Sequence, residues 1–273
     1  MASALNKNSV ERTLIIPLWC RALAAKKLPN ILPDPYAAKI LKKIGETKPP
    51  HPLYYMQCAS LTGAIRQYDL SVELGDYLKK HPAATVVELG AGLSCLRRQM
   101  KNKTNPWINI DLPDVIKLRE QYIPTSDNEK NYACDITDLS WFDLIPFDKE
   151  KGVIFAAAGL LQYFDYKFVQ GMICKMAERF PGGAFVFDIT TDKGIRNGNV
   201  TVRSTGNATK LTFALNDAPS EMPAWSDRLL NITQKDYYTG YYSSTEKYSW
   251  FTKLYIRSKQ GQLAIVHVDF RED

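Results

Sequence analysis

A short apolar strand followed by two closely spaced glycines is the first candidate for chemistry in this sequence. The stretch VVELGAGLSC (86–95) carries Glu88, Gly90 and Gly92 in the pattern E-x-G-x-G. A dinucleotide fingerprint needs a third glycine for close packing of helix on strand, and Cys95 stands at that position. The pattern favours S-adenosylmethionine, which has no pyrophosphate, although a generic tight turn uses the same glycines.

Two acidic residues follow at the next two strand positions of such a sheet. Asp111 ends the second strand, where a carboxylate can accept hydrogen bonds from both ribose hydroxyls of a nucleotide. Asp135 follows the third strand position, where it can accept from an adenine amino group while Ile136 offers an amide and an apolar wall. The alternatives are a helix N-cap ahead of Pro113 for Asp111, and a capping or Asx-turn role for Asp135. All these residues fall at the carboxyl ends of successive strands, where such sheets bind ligands.

Alternating strand and helix patterns must position these residues. Short runs rich in Val, Ile and Phe are typical of buried parallel strands, and a helix with apolar residues every three to four positions lies between the last two. The order predicts an α/β fold with a doubly wound, Rossmann-like sheet. The predicted strands are 84–89, 107–111, 152–158 and 184–189, and the helix is 166–180.

Three further segments flank the core at 84–189 in a predicted single domain of 273 residues. The cap at 1–83 reads as helices broken by proline, including 34–44, with Asp34 as N-cap, and 71–81. A Thr-, Asn-, Gly- and Tyr-rich segment at 190–248 has weak periodicity, apart from a strand-like stretch at 210–215, and is predicted to form an inserted lid. The end, 249–273, is predicted to form an antiparallel β-hairpin from 248–258 and 262–270.

Composition excludes several classes of protein. The net charge is +6, but no run of five like charges occurs, so a nucleic-acid partner is not expected. Five dispersed cysteines without a Cys-x-x-Cys pair argue against disulfides and against a metal site, and favour the cytoplasm. The apolar stretch at 13–27 is interrupted by Pro17 and Arg21, unlike a signal peptide, and no apolar run is long enough to span a membrane, so no membrane partner is expected.

The chain resembles class I S-adenosylmethionine-dependent methyltransferases of the leucine carboxyl methyltransferase type, and within it the O-methyltransferases of bacterial polyketide biosynthesis. The motif D-L-P-x-V-I within WINIDLPDVIKLR (107–119) and the block CDITDLSW (134–141) carry the resemblance most specifically. The approach to the first strand (65–93) and the opening helices (13–40) are also similar. The segments RNGNVTVRSTGN (196–207) and NDAPSEMPAW (216–225) look like the family's cap insertion.

The resemblance implies roles for individual residues. Arg66 would bind the carboxylate of the cofactor, with a surface ion pair to Asp69 as the alternative. Arg21 matches a second basic residue at the same carboxylate. Ala158 stands where the family carries a glutamate that reaches the cofactor, so this contact is missing. The roles implied for the remaining cofactor-binding positions agree with the interpretation above: Glu88, Gly90, Gly92, Asp111, Asp135 and Ile136.

The predicted activity is methyl transfer from S-adenosylmethionine, leaving S-adenosylhomocysteine, to a hydroxyl or carboxyl oxygen of a small aromatic or polyketide-like molecule. Tyr163, Arg196 and Asn197 are candidates to line the acceptor pocket, together with Arg21. His51 is the best-placed of three histidines for a base, but no base is assigned. The alternatives are methylation of a protein C-terminal carboxylate and a non-catalytic S-adenosylmethionine-binding protein. The oligomeric state is not predicted.

Overall fold

The computed structural model describes residues 10–28, 31, 34–46, 48, 57–204, 210–241 and 248–272. The helices are α1 Val10–Lys27, α2 Pro35–Ile44, α3 Gln57–Lys80, α4 Leu96–Gln99, α5 Pro113–Tyr122, α6 Tyr166–Arg179, α7 Asp192–Ser204, α8 Ala218–Glu221 and α9 Trp250–Lys259. The strands are β1 Thr85–Leu89, β2 Trp107–Asp111, β3 Glu129–Ala133, β4 Val153–Ala157, β5 Ala184–Thr190, β6 Leu229–Asp236 and β7 Leu263–Phe270.

The seven strands form one open sheet in the order β3-β2-β1-β4-β5-β7-β6. Neighbouring strands from β3 to β5 pair in parallel, whereas β7 runs antiparallel to both β5 and β6. Strands β1, β4 and β5 are buried along their whole length, as expected for strands covered by helices on both faces. The predicted α/β class and doubly wound sheet are confirmed.

Two apolar layers cover the faces of the sheet. On one face, Met172 and Met176 of α6 and Phe180, which directly follows this helix, pack with Phe155 of β4 in a layer that also contains Trp141. On the other face, α3 covers β1, β4 and β5 in a layer that contains a wholly buried Tyr237 from the end of β6. The helix α3 therefore lies directly over the central strands, at the place from which it can reach the ends of β4 and β5.

Sequence signals at the helix ends explain where several helices begin and stop. Asp34 caps α2 by accepting from the amides of Tyr36 and Ala37, and Gly45 ends it in the left-handed conformation, with a φ of 84°. Asp165 caps α6 through the amide of Phe168. The predicted helix 34–44 is confirmed, as is 166–180 to within one residue, and 71–81 is the second half of the longer α3. Among the described residues, no helix is long and apolar enough to cross a membrane.

The predicted terminal hairpin is wrong in its first strand. The segment 248–258 forms most of α9, which Ser249 caps through the amide of Thr252, and only β7 of the predicted pair is a strand. The antiparallel partner of β7 is β6, which lies inside the predicted lid. The apolar residues of 248–258 fit the spacing of a helix as well as that of a strand. The N-cap provided by Ser249 favours the helix.

The strand-like stretch at 210–215 is not a strand either. Its backbone amides bond to isolated carbonyls of other segments: Thr212 donates to Gln162 at 2.8 Å and Leu215 donates to Thr190 at 3.1 Å. It is a loop that runs past the ends of β4 and β5. The described part of the segment 190–248 also contains α7, α8 and β6, and β6 is a strand of the sheet.

Candidate cofactor site

The glycine loop turns sharply as it leaves β1. Gly90 and Gly92 both have positive φ, 61° and 47°, a conformation that residues with a Cβ rarely adopt. A Cβ on Gly90 would also lie only 2.7 Å from a methyl carbon of Leu160, which follows β4. The loop therefore depends on glycine for its conformation and for its close approach to the neighbouring strand end.

Glu88 lies behind this loop, inside the protein. The side chain is 6% exposed, and its Oε1 accepts a hydrogen bond from the indole nitrogen of Trp107 at 2.8 Å. Burial raises the pKa of the Glu88 carboxyl, while Arg119, Ser94 and Trp107 oppose the rise. The structure thus gives Glu88 a role in holding β1, β2 and the loop together, and its role toward a cofactor stays a prediction.

Asp111 joins the end of β2 to the glycine loop. Its Oδ2 accepts from the backbone amide of Gly92 at 2.7 Å, and its Oδ1 accepts from the amide of Leu112 at 2.8 Å. Burial raises the pKa of Asp111, and these two amides oppose the rise. The carboxylate stands at the carboxyl edge of the sheet beside the loop, as the sequence predicts. Each of its oxygens retains a lone pair with which it can accept from a ribose hydroxyl.

Two buried arginines hold the carbonyls of the loop. Arg119 of α5 donates to the carbonyl oxygens of Gly92 and Ser94, at 3.0 and 2.8 Å. Arg21 of α1 donates to the carbonyl of Leu93 at 2.7 Å, and its other guanidinium nitrogen lies 3.0 Å from the carboxylate of Asp34. Arg21 is 7% exposed, so these contacts engage the guanidinium that the sequence assigns to the cofactor or acceptor. Neither anchoring role is evident from the sequence.

A charged pair lies at the ends of β4 and β5. The Asp188 carboxylate accepts from the backbone amide of Gly159 at 2.6 Å, and its second oxygen lies 3.4 Å from Nη1 of Arg66. Gly159 has a φ of 67°, and a Cβ there would lie 2.4 Å from the same Arg66 nitrogen. Arg66 is 20% exposed and therefore reachable from solvent. It pairs with Asp188 and not with Asp69, the partner considered from the sequence.

Asp135 forms the turn that its alternative interpretation describes. Its Oδ1 accepts from the backbone amide and the hydroxyl of Thr137, at 2.9 and 2.8 Å, and the side chain is exposed. Ile136 is buried, and its carbonyl accepts from the indole of Trp141 at 3.2 Å. Recognition of adenine by Asp135 and Ile136 therefore stays a prediction, in which the second Asp135 oxygen would take part.

The cofactor position Ala158 and the candidate acceptor residues fall into different settings. Ala158 follows β4 and is half-buried, and Tyr163 follows it in a short 3-10 turn, 38% exposed and within electrostatic reach of Arg66. Asn197 of α7 donates to the side chain of Gln262 at 2.8 Å, which fastens α7 to the turn before β7. Arg196 is exposed on the same helix.

The two histidines in the described part of the chain do not supply an evident base. His81 stacks on Tyr77 with ring centroids 4.4 Å apart, and His267 lies between two carboxylates of Glu73 and Asp269, at 2.9 and 2.8 Å. His51 lies outside the described residues. The cluster at His267 is formed by α3 and β7. Burial lowers the pKa of His267, but the hydrogen bonds that the imidazole donates to the two carboxylates outweigh burial and raise this pKa to about 9.

The same fold occurs in a solved methyltransferase structure and in a second solved protein. A putative methyltransferase from Thermobifida fusca superposes with a TM-score of 0.54 at 14% identity, covering 93% of this chain and 94% of that one. A DUF574 family protein from Streptomyces avermitilis gives 0.55 at 11% identity, covering 92% and 96%. At these identities, the superpositions establish the fold.

Two curated relatives match the sequence itself. The chain is 28% identical over 192 residues to the tetracenomycin polyketide synthesis O-methyltransferase of Streptomyces glaucescens, covering 69% of this chain and 68% of that protein. It is 27% identical over 195 residues to an S-adenosylmethionine-dependent methyltransferase of Gibberella zeae, covering 65% of each. No family model matches the chain. The resemblance to S-adenosylmethionine-dependent methyltransferases that was stated from the sequence is confirmed by these relatives.

Proposed function

We propose that this protein transfers the methyl group of S-adenosylmethionine to an oxygen atom of a small molecule. The observation that carries the proposal is the set of groups at one edge of the sheet: the glycine loop after β1, Asp111 after β2 and the Arg66–Asp188 pair at β4 and β5. The name of the Streptomyces glaucescens relative, a polyketide O-methyltransferase, supports an oxygen acceptor and an aromatic or polyketide-like molecule.

In the proposed complex, residues at different strand ends contact different parts of the cofactor. Asp111 would accept from the ribose hydroxyls, Asp135 and Ile136 would face the adenine, and Arg66 would donate two parallel hydrogen bonds to the carboxylate. The Asp188 carboxylate, which already accepts from an amide at the end of β4, would attract the ammonium group of the same amino-acid end. It thereby supplies a negative charge next to Ala158, where the side chain carries none.

Methyl transfer depends mainly on how the acceptor and the cofactor are positioned relative to each other. The cofactor supplies an activated methyl group, whose carbon–sulfur bond breaks as the carbon–oxygen bond to the acceptor forms. Holding the acceptor oxygen in line with that bond provides much of the rate enhancement. The two described histidines are engaged elsewhere, by stacking and by carboxylates. An acceptor that is already ionised, such as a carboxylate or an acidic phenol, fits this site because no proton must be removed.

The experiment is a transfer assay with S-adenosylmethionine labelled in its methyl group. Phenols, aliphatic alcohols, small carboxylic acids and a peptide with a free C-terminal carboxylate are offered separately to the full chain. Label in a small phenol or acid supports the proposal, and release by mild base distinguishes a methyl ester from an ether. Label in the peptide alone favours a protein carboxyl methyltransferase. Cofactor binding without transfer to any acceptor favours a non-catalytic binding protein.

We also propose a cytoplasmic location and no nucleic-acid partner. The described cysteines support a reducing compartment because they are free thiols: Cys20, Cys95, Cys134 and Cys174. The basic residues are dispersed and not gathered into a long run, which argues against a nucleic-acid surface. Cell fractionation, and a filter-binding assay with duplex DNA and RNA at low salt, test the two points.

A further inference from the structure

One buried hydroxyl near the charged pair has no partner in the protein. Tyr237 directly follows β6, and its backbone amide donates to the carbonyl of Leu263 at 3.1 Å, which fixes the residue. The side chain is 1% exposed, and its hydroxyl makes no hydrogen bond within the described part of the chain. Buried polar groups in proteins are almost always bonded, so such a group indicates a bound water or a ligand.

The surroundings of this hydroxyl are charged. Tyr237 interacts electrostatically with Asp188 and Arg66 of the pair, and with Asp69, one turn beyond Arg66 on α3. Burial raises the pKa of Tyr237 well above its ordinary value, so the phenol stays protonated and can donate a hydrogen bond. The neighbouring Tyr238 differs, since its hydroxyl bonds to that of Thr62 at 2.7 Å.

We propose that the Tyr237 hydroxyl joins Arg66 and Asp188 in binding the amino-acid end of the cofactor. The Tyr237 hydroxyl donates a hydrogen bond to the carboxylate of the cofactor, next to the guanidinium of Arg66. The Asp188 carboxylate faces the ammonium group of the cofactor. Tyr237 is then a positioning residue that fixes the direction of the methionine chain, and hence of the methyl group. The inference rests on the proposed function, because it presumes that S-adenosylmethionine occupies this edge of the sheet.

The competing explanation is an internal water between Tyr237 and Asp69. Asp69 is fully buried, and neither of its carboxylate oxygens has a hydrogen-bond partner in the described structure. A water there would satisfy both groups and would leave the hydroxyl with no role toward a ligand. The two explanations predict different changes in ligand affinity when the hydroxyl is removed.

The test compares two ligands in the variant Tyr237→Phe of the full chain. S-Adenosylhomocysteine has the amino-acid end, whereas 5′-methylthioadenosine has the same nucleoside without it. Loss of a hydrogen bond to a charged group weakens binding by about 10- to 100-fold. We expect a loss of this size for S-adenosylhomocysteine and an unchanged affinity for methylthioadenosine, both measured by titration calorimetry. The matched control, Tyr238→Phe, removes a bonded hydroxyl and should leave both affinities unchanged.

Each other outcome has a defined meaning. Unchanged affinity of Tyr237→Phe for S-adenosylhomocysteine overturns the inference and favours the internal water. An equal loss for both ligands also overturns it, because the hydroxyl would then act through the fold as a whole. If the unmodified protein binds neither ligand, the proposed function fails together with the inference. If the unmodified protein binds both ligands and Tyr237→Phe leaves the ratio of the two affinities unchanged, the proposed function stands and the inference alone fails.

Discussion

The substitution Gly159→Ala tests whether the position of Arg66 matters for binding. The added methyl carbon would lie 2.4 Å from Nη1 of Arg66, closer than nonbonded heavy atoms approach. The atom it meets is the end of a long, flexible side chain, so Arg66 moves aside and the backbone stays in place. Movement of the guanidinium breaks its 3.4 Å contact with Asp188 and takes it away from the proposed carboxylate position.

The magnitudes follow from these contacts. The positive φ of 67° costs alanine about 1 kcal/mol in the left-handed conformation. Loss of the Arg66–Asp188 contact adds about 1 kcal/mol, because Arg66 is partly exposed and solvent screens the pair. The free energy of unfolding should therefore fall by about 2 kcal/mol. Loss of the charged hydrogen bonds from Arg66 should weaken S-adenosylhomocysteine binding by about 2 kcal/mol, or roughly thirty-fold.

Calorimetric titration and urea unfolding of Gly159→Ala measure both effects. The matched control is Gly171→Ala in the middle of α6, where nothing lies within 4 Å of the added carbon. That change should stabilise the protein by up to about 1 kcal/mol, through helix propensity, and leave binding unaltered. A Gly159→Ala variant that is folded and binds S-adenosylhomocysteine as tightly as the unmodified protein would refute the role given to Arg66.

Two further predictions concern stability. Arg21→Met leaves a buried carboxylate unpaired at the start of α2, so urea unfolding should show a loss of about 3 kcal/mol or more; a loss below about 1 kcal/mol would contradict the anchoring role. The raised pKa of His267, about 9 against an ordinary 6.5, implies stabilisation that is present below pH 6.5 and lost as the pH rises to 9. Unfolding of His267→Gln should therefore differ from that of the unmodified protein by about 2–3 kcal/mol near pH 6 and by much less near pH 10; a constant difference would contradict the pairing with Glu73.

The sheet was the most predictable part of the fold. Buried parallel strands consist of nearly continuous apolar residues. The short runs WINID (107–111) and AFVFDI (184–189) therefore favour strands over helices, and they correspond to β2 and β5. The region after residue 190 was less predictable, because α9 and β6 have mixed apolar and polar residues that suit either period. Local capping by Ser249 and pairing with β7 decide these elements, and the pairing depends on residues distant in sequence.

The site was predictable where a motif fixes the backbone and not where side chains meet across strands. The glycines and Asp111 lie as predicted, since E-x-G-x-G and the strand end determine their places. Asp188 reads from the sequence as part of a buried strand, and its meeting with Arg66 depends on β4 and β5 being neighbours under α3. The acidic residue within the apolar run AFVFDI was the sequence signal that could have indicated Asp188 as a site residue. No comparable sequence signal indicated Tyr237.

Binding of S-adenosylhomocysteine to the full chain, with Asp111→Ala beside it, tests the central claim most directly. The exposed Asp114→Ala, three residues further along in α5, serves as the matched control. The account predicts measurable binding that Asp111→Ala weakens by about 100-fold or more, because two charge-assisted hydrogen bonds are lost, and that Asp114→Ala leaves unchanged. Absence of binding by the unmodified protein, or equal binding by a folded Asp111→Ala variant, would contradict the assignment of this sheet edge to S-adenosylmethionine.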